Sequence, residues 1–151
     1  MGNLVKKLLT KEDLQAIASA IGDAEKSTSG EIRVCIRQKR KWGERKLSLE
    51  MLTRKEFEQL GMAKTKAHTG VLIFLLLQDK AFHIFADAGI HAKVAEGTWD
   101  AIAKDMSAHF TQKNFRQGIL HGIKEVGNVL SSFFPKSADD TNELSNDVVV
   151  N

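Results

Sequence analysis

The chain has 151 residues, a length that suits one domain with its own core. Hydrophobic residues make up 42% and charged residues 27%, a globular balance that excludes a disordered or fibrous chain. The formal net charge of +3 is too small to point to nucleic acid as a partner.

Thr10 followed by Glu12 and Asp13 reads as a helix start, with a capping hydroxyl and acids in the first turn. Leu14, Ile17, Ala18 and Ile21 follow at helical spacing, and the helix is expected to end near Lys26. Residues 27–30 form a turn. From Glu31 to Arg37 the side chains alternate, Ile32, Val34 and Ile36 against Arg33, Cys35 and Arg37, which predicts a strand. Ser48 is placed to cap a second helix, with Leu49, Thr53, Phe57 and Leu60 on its inner face.

The segment from Gly70 to Leu77 carries no polar side chain. Such a strand needs cover on both faces, as in a sheet between two helical layers. Residues 78–80 make a short turn, and 81–86 return as the second arm of a hairpin. Trp99, Ile102, Ala103, Met106 and Phe110 mark one helix; Phe115, Ile119, Ile123, Val126 and Leu130 mark another that stops at Pro135. Residues 136–151, with Asp139, Asp140, Glu143 and Asp147 among small polar residues, read as a flexible acidic tail. The expected fold is a Rossmann-like α/β/α sandwich over residues 10–135, with a small mixed sheet of three to four strands.

Topology makes this pattern functional. A crossover helix separates the strands at 31–37 and 70–77, so they should run parallel, and the hairpin strand should run back. Three turns then meet at one sheet edge: Ser29-Gly30-Glu31, His68-Thr69-Gly70 and Asp87-Ala88-Gly89. Each joins an oxygen-bearing side chain to a glycine that permits close backbone approach. Two carboxylates, hydroxyls and loop carbonyls suit a hard divalent cation; the bland reading is turn and capping chemistry.

Ser29-Gly30-Glu31-Ile32-Arg33-Val34, Thr69-Gly70-Val71-Leu72-Ile73-Phe74-Leu75, Asp87-Ala88-Gly89-Ile90-His91 and Phe115-Arg116-Gln117-Gly118-Ile119 resemble the TPM domain family. That family includes thylakoid-lumen proteins linked to photosystem II repair and an auxiliary subunit of a nematode receptor. The resemblance implies the same sandwich, calcium binding in some members and weak acid-phosphatase activity in some. It puts Glu31 and Asp87 on the acidic positions of the family pattern, and Thr69 where relatives often carry asparagine. The implied site is Glu31, Thr69, Gly70, Asp87 and Gly89, with calcium favoured over magnesium. The implied partner is another protein or a membrane-protein complex.

Other features weigh less. Arg37, Lys39, Arg40, Lys41, Arg45 and Lys46 surround Trp42 in a loop that could grip phosphate groups or an anionic surface; a solvated loop is the alternative. Cys35 sits mid-strand, with no glycine loop to hold a thiolate and phosphate, and reads as a core residue. His91 follows the Asp87 turn and could line that site, but it reads better as a simple surface residue. His121 and Glu125, one helical turn apart, read as a surface pair. A lone cysteine gives no disulfide framework and suits a reducing compartment. The longest apolar run, Val71 to Leu77, is too short to span a bilayer. The first nine residues lack the features of a secretory signal, and Lys6 breaks a myristoylation motif. The expected location is cytoplasmic, without a transmembrane segment. Three functions follow as expectations: a cation-binding regulatory or partner-binding module, a weak metal-dependent acid phosphatase, and an anionic-surface or nucleic-acid binder.

Overall fold

A computed structural model describes residues 3–136 and 144–151 of the chain. Thr10 caps its helix as expected. Its hydroxyl accepts the Asp13 N–H at 3.0 Å, and Asp13 Oδ2 accepts the Thr10 N–H at 2.9 Å. The helix is α2, Lys11–Glu25. A short helix not expected from the sequence, α1 (Asn3–Leu8), precedes it and buries Val5. Then come β1 (Glu31–Arg37), α3 (Leu49–Gln59), a single 3-10 turn (Met62–Lys64), β2 (Gly70–Leu76) and β3 (Ala81–Ala86). The chain continues through α4 (Ala88–His91), α5 (Gly97–Thr111), α6 (Phe115–Phe133) and β4 (Val149–Val150).

The sheet order is β3-β2-β1-β4. β1 and β2 are parallel, with Glu31 opposite Gly70 and Arg37 opposite Leu76. β3 is antiparallel to β2. All seven residues of β2 are buried, and strand alternation divides them between two cores. Val71, Ile73 and Leu75 pack under α2, α5 and α6; Leu72, Phe74 and Leu76 pack under α3. A strand covered on both faces has no position where a polar side chain reaches water, which explains the apolar run. The α/β/α sandwich is therefore the observed architecture.

Two expectations change. On α3, Leu52 and Glu56 join Thr53 and Phe57 in the interior, while Leu49 and Leu60 are half-buried. Glu56 is drawn inward by Arg37, whose Nη2 lies 3.5 Å from Glu56 Oε2. The expected tail is also not wholly apart from the domain. Residues 137–143 lie outside the described residues, but Val149–Val150 form a fourth strand parallel to β1. The Asn151 N–H donates to Ile36 O at 2.9 Å and extends that pairing. Among the described residues, no helix is long and apolar enough to cross a membrane.

Candidate functional site

The three turns meet where the topology places them. The Glu31 N–H donates to Thr69 O at 3.1 Å, and the Asp87 N–H donates to Gly70 O at 3.0 Å. The Gly89 N–H donates to His68 O at 2.9 Å. A side chain at Gly89 would collide with the carbonyl oxygens of Ala67 and His68, the second at 2.6 Å. Glycine is therefore what lets the Asp87 turn sit against the 65–70 loop. Thr69 and Gly70 are both buried.

Strand register sets the geometry of the two carboxylates. Glu31 pairs with Gly70 across β1 and β2, and Asp87 follows β3 opposite the same Gly70. All three share the α3 side of the sheet, with the glycine between the acids. The outer Cα positions are two strand spacings apart, about 9.6 Å. Two carboxylates reaching inward with bonds of about 2.3–2.6 Å to a shared calcium can span that gap.

Each acid also has a structural contact. Glu31, 3% exposed, accepts the Leu144 N–H at Oε1 (2.8 Å). Asp87 Oδ1 accepts the Ala88 N–H at 2.7 Å and caps α4. Its Oδ2 is buried and has no hydrogen-bond partner among the described residues; His68 Nδ1 stands 3.5 Å away. His91 is exposed at the end of α4, as its reading as a surface residue expects, and the histidine beside Asp87 is His68.

Two more buried oxygens at this edge were not singled out from the sequence. Thr65 Oγ1, in the loop leading to Gly70, has no hydrogen-bond partner among the described residues. Glu25, the last residue of α2, accepts the Ile32 N–H at Oε2 (2.8 Å), while its Oε1 has no such partner among the described residues. Burial pushes the Glu25 carboxyl up to about 7; the Ile32 N–H opposes this, and the neighbouring Glu31 adds to it. An acid at the C-terminal end of an amphipathic helix looks like a surface residue in sequence, so only the packing of α2 on β1 reveals it.

The basic loop lies at the other end of β1. Arg37 is 2% exposed and belongs to an internal network: its Nη1 contacts Glu44 Oε1 at 2.5 Å. Lys55 Nζ lies 3.0 Å from Glu44 Oε2. Burial alone would raise the Glu44 carboxyl, but the Lys41 N–H, Lys55 and Arg37 outweigh it and hold it down at about 2. Arg40 donates to Asp79 and to the Glu44 and Leu47 carbonyls. Lys39, Lys41, Arg45 and Lys46 are exposed, and Trp42 is 96% exposed. A cavity of about 830 Å³ opens between this loop, Gln78 and Asn151.

Cys35 is fully buried and donates to Glu56 Oε1 at 3.3 Å; burial, then Glu56, push its thiol far above the ordinary range. It is a core thiol, as expected from its place in the strand. On the helical face, His121 Nε2 lies 2.8 Å from Glu125 Oε1, so the expected pair forms. Asp105 from α5 joins it, with Oδ2 3.7 Å from the same nitrogen. One ligand atom from each of Asp105, His121 and Glu125 lies within 4.8 Å of the others, a group able to hold a metal ion.

The mixed sheet between two helical layers makes this an α/β/α sandwich domain. The chain belongs to the TPM domain family, whose pattern matches residues 5–129. It is similar to the BA42 protein from the psychrophilic bacterium Bizionia argentinensis, at 37% identity and a TM-score of 0.87, covering 97% of this chain and 98% of that one. The N-terminal domain of a P. gingivalis protein shares the fold at 22% identity and a TM-score of 0.67, covering 84% of this chain and 79% of that one. So does the N-terminal domain of the cg2496 protein from Corynebacterium glutamicum, at 15% identity and a TM-score of 0.63, covering 91% and 82%. No curated protein matches the chain.

Proposed function

We propose that this TPM domain binds a divalent cation, calcium before magnesium, between Glu31 and Asp87, and acts as a regulatory or partner-binding module in the cytoplasm. The observation that carries the reading is Asp87 Oδ2, a buried carboxylate oxygen with no hydrogen-bond partner among the described residues, facing the same edge as Glu31. A buried anionic oxygen without a donor is costly, and a cation relieves that cost. Thr65 Oγ1 and the carbonyls of the 65–70 and 87–89 turns add oxygens at this edge, and His68 Nδ1 stands 3.5 Å from Asp87 Oδ2. Two carboxylates with a hydroxyl and loop carbonyls favour calcium, because magnesium demands stricter octahedral geometry. The lone cysteine and the family membership support the location and the module reading respectively.

Calorimetric titration with calcium tests this. The parent protein should bind one ion, and Glu31→Gln and Asp87→Asn should each weaken binding by about tenfold or more. A parent protein that takes up no calcium defeats the proposal. Weak phosphomonoester hydrolysis at the same ion is a second reading, favoured by His68 beside Asp87 as a base for a metal-bound water. Activity that survives Asp87→Asn would place it elsewhere. Anion binding at the 37–46 loop is a separate reading, supported by the cavity beside Lys39, Lys41, Trp42 and Arg45. Retention on an anionic resin that does not weaken with salt would argue against it.

A further inference from the structure

α5 and α6 are antiparallel neighbours joined by residues 112–114, and two glycines of α6 face α5. A Cβ on Gly122 would stand 2.5 Å from Met106 Sδ, and one on Gly118 would stand 3.1 Å from the His109 Cβ. A side chain at either position would displace Met106 or Phe110 from the face of α6. This packing sets two pairs of residues side by side, each pair one helical turn apart: Asp105 and His109 on α5, His121 and Glu125 on α6. All four are outside the Glu31–Asp87 edge.

The distances fit a metal ion with short bonds. Ligands about 2.0–2.1 Å from a tetrahedral zinc ion are separated by roughly 3.3–3.4 Å. His121 Nε2 lies 2.8 Å from Glu125 Oε1 and 3.7 Å from Asp105 Oδ2, values that bracket this spacing. The His109 ring centroid is 5.4 Å from that of His121 and stands next to the trio. The side chains of Asp105, His121 and Glu125 are 54%, 36% and 29% exposed, so an ion can enter from solvent and keep a position open to water. They stand on helices rather than loops, which holds them near the required geometry.

Donor chemistry separates this group from the sheet edge. Imidazole nitrogen with carboxylate oxygen suits zinc and its neighbours among the first-row transition metals; calcium and magnesium favour oxygen alone. We propose that α5 and α6 carry a second cation site, for zinc, with Asp105, His121 and Glu125 as ligands and His109 as the residue that closes it.

The test uses the full chain, stripped of metal with a chelator. Zinc titration by calorimetry should give one ion per chain, and cobalt substitution should give visible d–d absorption that zinc abolishes. His121→Ala and Glu125→Gln should each weaken zinc binding by about tenfold or more, and His109→Ala should weaken it by a smaller factor. Far-UV circular dichroism of the metal-free variants should match the parent, because these side chains lie at the surface. Asp87→Asn should bind zinc as the parent does, and a hundredfold excess of calcium should not displace it. No zinc uptake by the parent overturns the proposal, as does uptake unchanged in His121→Ala or lost in Asp87→Asn.

Discussion

Arg37→Met removes the one cation that touches both Glu44 and Glu56 among the described residues. Arg37 Nη1 lies 2.5 Å from Glu44 Oε1, and Nη2 lies 3.5 Å from Glu56 Oε2, with all three side chains 4% exposed or less. Methionine fills similar space but leaves two buried carboxylates facing each other. Lys55 still reaches Glu44 at 3.0 Å, so part of the charge is covered. Breaking a buried pair from one side costs about 3–5 kcal/mol. For a domain of this size that corresponds to a fall in melting temperature of roughly 6–20 °C. Thermal melts by circular dichroism at pH 7 measure it. The triple variant Arg37→Met, Glu44→Gln, Glu56→Gln removes charge from both sides and should recover most of the loss. A single variant that melts within about 2 °C of the parent would refute the reasoning, because the network would then be incidental to stability.

Glu25 gives the pH prediction. Its carboxyl is raised by burial to about 7 in the folded state, against the ordinary 4.5. Between those values the folded state holds more protons than the unfolded chain, so stability falls as pH rises from about 4.5 through 7. Glu25→Gln keeps an acceptor for the Ile32 N–H and removes the charge. In metal-free buffer its melting temperature relative to the parent should climb between pH 5 and pH 8, by an amount equivalent to at most roughly 3 kcal/mol; a flat difference would contradict the argument. Gly89→Ala should destabilise the domain by about 1–3 kcal/mol, because the added methyl meets the Ala67 and His68 carbonyls. Chemical denaturation reads the loss, and calcium titration of the variant should show weaker binding as the 65–70 loop is pushed off Asp87.

Sequence periodicity captured what depends on neighbours along the chain. The apolar run of β2 and the alternation of β1 each report burial directly, and their parallel order alone puts Glu31 opposite Gly70. Contacts made across the fold were harder to read. Arg37 looked like part of a basic loop because its partners lie 7 residues away in that loop and 19 residues away on α3. Glu56 looked like a solvent residue on α3 for the same reason. β4 is two residues long, and the signal that could have found it is Val148 to Val150 after a polar stretch. Leu4, Val5, Leu8 and Leu9 carry the helical spacing that would have marked α1. Asp105 beside His121 depends on helix packing, though Gly118 and Gly122, spaced one turn apart, hinted at a close helix pair.

The odd-numbered residues of β1 share the α3 side of the sheet and begin with an acid, Glu31, and end with a base, Arg37. Six residues of strand separate them by about 20 Å, where two unit charges attract by only about 0.8 kcal/mol at an effective dielectric of about 20. Each end must therefore balance its own charge. At the Arg37 end the protein does so with its own side chains, two carboxylates against Arg37 and Lys55, and Glu44 stays ionised well into acid. At the Glu31 end it uses a proton, held on Glu25 because burial and the neighbouring Glu31 disfavour another negative charge there. A divalent cation beside Glu31 would take over the role of that proton. Burial is the first cause of the raised Glu25 carboxyl, and a cation at this edge would lower it just as it would pair the buried Oδ2 of Asp87. Calcium uptake at neutral pH should then release a fraction of a proton from Glu25, visible as a heat of binding that changes with the ionisation enthalpy of the buffer.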